Sequence, residues 1–213
     1  FDFKGVKVLI KGEAIRDEEP NYGIYAELIV EEVAKQVGQK TAHYDLIKFL
    51  DENGVYHQGV LSVSVLESGN EQLVTLRDII GDEPEETSDF IDTTSYEFTV
   101  EKLEEELRRD GYDEQNIASV ITDYKKRLVF LLAVLETDQH TENIAFKTKK
   151  VDGRSRIELS PNYDREASFL LDNDISTIKG LLADYVGLKE SVDRAHPRIG
   201  TLRTIEELSL IHI

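Results

Sequence analysis

The spacing of apolar positions changes period several times along the chain, and each change marks an element. Val6, Val8 and Ile10 alternate with Lys7, Leu9 and Lys11. Period-two alternation rich in β-branched residues predicts a strand that ends at Lys11. Residues 12–22 are polar and carry Pro20 and Asn21, which predicts a loop. Ala26, Ile29, Val30, Val33, Ala34 and Val37 then recur at helical spacing, and Gly38 supplies a left-handed stop. Glu27 falls in the expected first turn, where a carboxylate complements the helix dipole. Residues 41–49 predict a second strand, Asn53-Gly54 a type I′ hairpin turn, and residues 55–66, with Val60, Val63 and Val65, its partner strand. The first third is therefore expected to be a small antiparallel sheet carrying one helix.

Gly69 and Asn70 break this pattern, and residues 73–80 predict a short helix. The acidic, turn-rich stretch 81–97 reads as an insertion or a connection between lobes. Thr99 is placed to cap a helix whose apolar face is Val100, Leu103 and Leu107 and which Gly111 ends. The strongest signal follows: Ile117, Val120, Ile121, Tyr124, Leu128, Leu131, Leu132 and Leu135 form one stripe. That helix leads straight to Asp138. Residues 143–149 and 156–159 predict two short strands around Asp152-Gly153, a hairpin that would return Asp164 beside Asp138. Residues 175–186 predict a helix with Gly180 as its weak spot, and His196-Pro197 begins a loop. The order predicts an α+β chain of two lobes, a sheet-plus-helix lobe over residues 1–68 and a mainly helical one over 69–207.

Composition narrows the partners. The 213 residues hold 43 acids against 25 bases, a net charge of −18. So acidic a surface gains little from counterion release, which argues against direct nucleic-acid binding and against an anionic membrane. The pairs Lys125-Lys126 and Lys149-Lys150 leave room for a local basic face. A nucleotide is not excluded, since its site needs only one or two cations and magnesium. There is no cysteine, so disulfides and thiolate metal sites are excluded, in keeping with a reducing, cytoplasmic setting. The longest apolar run, residues 128–135, is too short to span a bilayer. The chain opens on Phe1 and has no methionine, which predicts a fragment of a longer reading frame. Leu208-Ser209-Leu210-Ile211-His212-Ile213 resembles the translation of a transposon-end sequencing adapter, so the native sequence is expected to stop near Glu207.

The candidate chemistry lies in Asp138-Gln139-His140-Thr141-Glu142-Asn143. An Asp and an Asn five positions apart after a long helix suit phosphoryl transfer: the Asp accepts the proton of an attacking hydroxyl and the Asn holds magnesium. Lys11 at a strand end can meet nucleotide phosphates if an acid on the next helix, Glu27, steadies its ammonium. Asp164 supplies a hard oxygen of the kind magnesium prefers. His140 can orient the loop, although a lone histidine is more often structural. Taken singly, Lys11 and Glu27 are more often surface charges, Asp138 and Asp164 turn aspartates and Asn143 a turn amide. Their order along the chain favours the shared reading. An Asp-x-His-x-x-Asn string arises by chance in roughly one chain of this size in a hundred.

On these residues the chain resembles the HipA-like serine/threonine kinases, bacterial toxin-type kinases and their standalone relatives. The resemblance runs through Leu9-Ile10-Lys11, Glu27 in a helix ending Val37-Gly38, Tyr44, Thr137-Asp138-x-His140-x-x-Asn143 and Leu159-Ser160-Pro161-x-Tyr163-Asp164. It covers about residues 4 to 200, with the last two motifs the most specific. It implies a bilobal protein-kinase-like fold and transfer of phosphate from Mg-ATP to a protein hydroxyl. It further implies Lys11 on the phosphates, Asp138 as base, and Asn143 and Asp164 on magnesium. The nucleotide base would pack near Val65 and Glu67. The family's phosphate-covering loop precedes the lysine strand, whereas here ten residues precede Lys11 and Gly5 is the only glycine among them. The fragment is therefore expected to bind nucleotide weakly and to transfer phosphate poorly. Stretch 81–97 has no counterpart in the family. A lipid or small-molecule phosphotransferase and a non-catalytic pseudokinase stay open as alternatives. A lipid kinase would carry its metal aspartate in Asp-Phe-Gly rather than Tyr163-Asp164-Arg165. An antitoxin partner also stays open; a neighbouring gene for a small DNA-binding protein would point to one.

Overall fold

The computed structural model describes residues 2–3, 6–13, 15–16, 19–20, 22–66, 69–81, 96–136, 140–171 and 175–184. Asp138, Glu67, most of stretch 81–97, the His196-Pro197 loop and residues 208–213 lie outside them. In chain order the elements are β1 (Asp2–Phe3), β2 (Val6–Gly12), β3 (Ile15–Arg16), β4 (Glu19–Pro20), α1 (Gly23–Val37), β5 (Tyr44–Leu50), β6 (Tyr56–Val63) and β7 (Gln72–Thr75). There follow α2 (Leu76–Ile80), α3 (Tyr96–Arg109), α4 (Glu114–Ala133), β8 (Ala145–Val151), β9 (Arg154–Leu159) and α5 (Ile175–Ala183). Two compact units emerge. One gathers the described residues of Phe1–Val65, Val134–Thr137 and Pro161–Ala195; the other gathers those of Leu66–Ala133 and Asp138–Ser160.

The first unit is built on an antiparallel sheet of order β1-β2-β6-β5. Lys11 stands opposite Val60 and Gly12 opposite Gly59. Ile24 of α1 packs with Ala42, Tyr44 and Val60, and Tyr25, Leu28, Val65 and Tyr163 close around them. Gly38 ends α1 in the left-handed conformation (φ 71°), and the Gln39 N–H donates to the Ala34 carbonyl at 2.9 Å. The buried face of α1 departs from the apolar stripe. Glu27 and Glu31 are buried, while Ile29 and Val37 are exposed. The helix begins at Gly23, so Glu27 sits in the second turn and not at the dipole's first turn.

Cations make the burial of these two carboxylates tolerable, because a buried charge needs a partner. For Glu31 the partners are His43 Nδ1 at 2.7 Å, Lys35 Nζ at 2.9 Å and the Tyr44 N–H at 2.9 Å. Burial works against the charged Glu31, but His43, Lys35 and Tyr44 outweigh it and hold its pKa below the ordinary value. The Glu31 hydrogen bond, chiefly, raises His43 above its ordinary value. A raised histidine contributes stability that is complete below its unfolded pKa of about 6.5 and is lost as pH climbs through the higher folded value. A depressed glutamate contributes above its unfolded value and loses that as pH falls through the lower folded one. Denaturation followed across pH should therefore show wild type losing stability relative to His43→Gln as pH rises past the His43 titration. Identical pH dependence in both proteins would refute the pairing.

Other details depart from the sequence pattern for local reasons. The expected loop 12–22 contains the short antiparallel pair β3–β4. Asn53-Gly54 does not form a type I′ turn, since Gly54 (φ 77°) has positive φ and Asn53 does not. The Asp51 side chain accepts from the Asn53 and Val55 N–H groups, and the Gly54 N–H donates to the Asp51 carbonyl, closing a three-residue loop.

The second unit pairs a three-stranded sheet, order β7-β8-β9, with α2, α3 and α4. Its buried side chains include Leu76, Leu103, Leu107, Ile117, Tyr124, Leu128 and Phe146. The α4 stripe predicted from residue 117 onward is buried as far as Leu131, and the helix stops at Ala133. Asn116 clamps β9, its Nδ2 donating to the Ile157 carbonyl at 2.7 Å and its Oδ1 accepting the Ile157 N–H at 3.1 Å. Asp152 (φ 51°) and Gly153 (φ 77°) are both left-handed, the requirement of a type I′ hairpin turn. Two expectations fail here. The helix expected over 73–80 divides into β7 and α2 at Thr75, whose hydroxyl accepts the Asp78 N–H while Asp78 accepts the Thr75 N–H, a capping box. Thr99 is buried inside α3, which includes Tyr96, so it is no cap.

Candidate functional site

In the first unit Lys11 leaves β2 toward α1 and the segment that follows Pro161. Its Nζ lies 2.9 Å from Glu27 Oε1, in ion-pair contact with Asp164 Oδ1, and 3.8 Å from Glu166 Oε2. Lys11 and Asp164 are 153 positions apart in sequence. Glu27 is wholly buried, whereas the Asp164 side chain keeps 38% of its surface open. Burial alone would push the Lys11 ammonium toward neutrality, but Glu27 and then Asp164 overcome it and hold its pKa well above the usual lysine value. The amine therefore stays charged.

The backbone serves the same arrangement. Asp164 has φ 59°, a left-handed conformation that aspartate tolerates better than most side chains. Its N–H donates to the Tyr44 hydroxyl at 3.2 Å. Burial first and the charge of Glu27 second push the Tyr44 phenol up, so it stays protonated. The preceding chain is pinned to the α1–β5 connection. Asn162 donates its N–H to the Lys40 carbonyl at 2.9 Å and accepts the Ala42 N–H at 2.7 Å.

One ammonium thus faces three carboxylates, an excess of negative charge that suits a divalent cation. Among the described residues no three acidic or histidine side chains gather in metal-binding geometry. Magnesium does not require this, since it is bound by one or two carboxylates plus waters and substrate phosphates. Asp164, whose side chain is part-open, fits such a role.

The second unit holds His140 and Asn143 in one turn. The Asn143 N–H donates to the His140 carbonyl at 3.0 Å, and the Glu142 N–H reaches His140 Nδ1 at 3.3 Å. Asn143 is buried and His140 partly open. Arg77 of α2 fixes this turn, donating its N–H to the Thr141 carbonyl at 3.2 Å and pairing with Glu142 at 2.6 Å. Val65 lies against the core of the first unit.

Sequence reasoning passed over Arg165 and Glu136. Both are fully buried, with Arg165 Nη1 3.9 Å from Glu136 Oε2. Burial lowers the Arg165 pKa from its ordinary value, against the pull first of Glu136 and then of Glu27. The available signal was position alone, directly after Asp164 and two residues before Asp138.

The described elements make a mixed α+β fold of the kinase-like kind. It is similar to the proinflammatory kinase CtkA of Helicobacter pylori, with a TM-score of 0.63 and 12% identity over 89% of this chain. The chain spans 62% of the length of that protein. At such identity the likeness concerns the fold. No protein-family model and no curated protein matches the chain. No described helix is long and apolar enough to cross a membrane.

Proposed function

We propose that the chain is the nucleotide-binding and catalytic part of an ATP-dependent protein serine/threonine kinase of HipA-like type. The observation that carries this reading is the ammonium of Lys11 held at once by Glu27 of α1 and by Asp164. A lysine on a sheet strand, steadied by a helix glutamate and next to a metal-type aspartate, is the charge arrangement phosphoryl transfer needs. Lys11 would bind nucleotide phosphates, with Glu27 fixing its direction. Asp164, together with Asn143, would hold magnesium, which neutralises phosphate charge when bound. Asp138 would accept the proton of the substrate hydroxyl, and His140 would order the turn that carries Asn143. Val65 and Glu67 would border the nucleotide's base. The kinase named among the structural neighbours supports the same class of chemistry.

Two measurements test the reading. Titration calorimetry should show ATP binding that depends on magnesium. Labelled ATP should pass its terminal phosphate to a protein serine or threonine. Binding without transfer to any acceptor would indicate a pseudokinase, and transfer only to lipids or small molecules would indicate another phosphotransferase class.

A further inference from the structure

Four non-glycine residues among those described have positive φ, and three of them flank one buried ion pair: Leu135 (52°), Asp164 (59°) and Phe169 (57°). The fourth, Asp152, belongs to the hairpin turn. Such conformations persist only where the surroundings over-determine them, and they collect at functional sites. Here the surroundings are unusually polar for so buried a place. Arg165 Nε donates to Asn162 Oδ1 at 3.0 Å, its Nη1 lies 3.9 Å from Glu136 Oε2, and Ser168 Oγ donates to the same Glu136 oxygen at 2.7 Å. The Phe169 N–H closes the circuit on the Val134 carbonyl at 2.9 Å.

We propose that Arg165 and Glu136 are positioning residues, a buried charge pair that fixes the backbone of Asp164 and ties it to residues 134–136, the segment leading into Asp138. The inference rests on the kinase reading for its meaning but not for its test. Replacing a buried ion pair by hydrophobic side chains of similar volume is often neutral or stabilising. A fully buried Arg–Glu pair is therefore a poor choice for holding the fold together and a good one for specifying a single geometry. The guanidinium is rigid and planar, with donors in fixed directions, so it orients what it touches. One face meets Asn162, two residues before Asp164, and the other meets Glu136. Charge and shape together set the left-handed turn at Asp164 from both sides.

The test separates positioning from stability. Arg165→Met and Glu136→Gln each strand a buried partner, so each should lower Tm. The double variant Arg165→Met/Glu136→Gln leaves no buried charge there and should regain most of that Tm. Positioning predicts that the double variant nevertheless exchanges the Asp164 and Phe169 amide hydrogens at least tenfold faster than wild type. It also predicts that Arg165→Lys, which keeps charge but loses the fork, behaves likewise. In the phosphotransfer assay the double variant should lose at least tenfold in kcat with KM for ATP changed less than twofold. Amide protection that recovers together with Tm would overturn the inference and leave the kinase reading standing. Phosphotransfer surviving Asp164→Asn would overturn the kinase reading and leave the exchange result to stand on its own.

Discussion

Asp164→Asn should lower phosphate transfer by about 10²–10³-fold or more, the loss expected when one charge-stabilising group is taken from a phosphoryl-transfer site. Thermal stability should hardly change. Asparagine has the same shape, and it is among the few residues that accept the left-handed backbone found at position 164 (φ 59°). Lys11 would keep Glu27 as its partner at 2.9 Å. The negative charge that a magnesium ion would meet disappears, and with it the second ion pair of Lys11. Asp164→Val makes a useful contrast, because a β-branched residue at this φ adds a backbone cost of roughly 1–2 kcal/mol. That variant should lose both transfer and Tm. Labelled-ATP assays and thermal melts on the two proteins distinguish chemistry from folding. Full turnover by Asp164→Asn would remove Asp164 from the reaction and the proposed function with it.

Gly59→Ala should strike the same site from behind. Gly59 lies in the interior of β6, opposite Gly12 on the strand that carries Lys11. An added Cβ would overlap the Lys11 carbonyl oxygen and come within 2.9 Å of the Phe49 ring. The ring also covers Gly12, where a Cβ would sit 3.1 Å from it. At Gly12 a small shift of the ring would admit a methyl group, but at Gly59 the backbone carbonyl leaves no space for one. Phe49 could rotate, but the carbonyl belongs to the β2–β6 ladder and cannot yield without moving Lys11. Overpacking of this kind costs about 1–3 kcal/mol. In a chain of this size that lowers Tm by roughly 2–4 °C per kcal/mol. Nucleotide affinity should fall as well, since Lys11 moves with its own carbonyl. Adding Phe49→Ala would relieve the ring contact alone, so the double variant should remain below wild type in both. A Gly59→Ala protein with unchanged Tm and affinity would show that this close approach does not exist.

How far the sequence could be read depended on whether burial followed polarity. The stripe of α4 and the Asp152-Gly153 turn were legible because apolar spacing and turn chemistry agree there with the structure. Gly38 was legible for the same reason, as a glycine at the end of a periodic run. The buried face of α1 was legible only in part: Ala26, Val30 and Ala34 of the stripe are buried, but Glu27 and Glu31 are buried with them and Ile29 and Val37 are exposed. A hydrophobic stripe cannot announce the two paired carboxylates that share that face. The charges that explain it come from Lys11, His43 and Lys35, two of them outside α1. At Thr75 the opposite holds. The Thr75-x-x-Asp78 capping signal was present, and the run Leu73–Val74 was read with the helix only because its strand partner, Phe146 and Lys147, is remote in sequence. Lys11, Glu27 and Asp164 could be named as a set from their order. Their meeting point and the backbone at Asp164 depend on contacts to Lys11 and Tyr44, 153 and 120 positions away, and the Arg165–Glu136 pair beside them follows no periodic pattern, so none leaves a local trace.

The way the two units share the chain has a consequence for synthesis. The first unit draws on Phe1–Val65 but is completed by Val134–Thr137 and Pro161–Ala195, while Leu66–Ala133 lies wholly within the other. A ribosome therefore makes residues 66–133 before it supplies Asn162, which pairs with Lys40 and Ala42, and before Asp164 exists to meet Lys11. Until then Lys11 has Glu27 but not Asp164, Lys40 and Ala42 lack Asn162, and the early product is a nascent chain with an unfinished N-terminal half. Translation stalled between residues 135 and 160 would leave that half exposed to proteases. Synthesis of Pro161–Ala195 completes it.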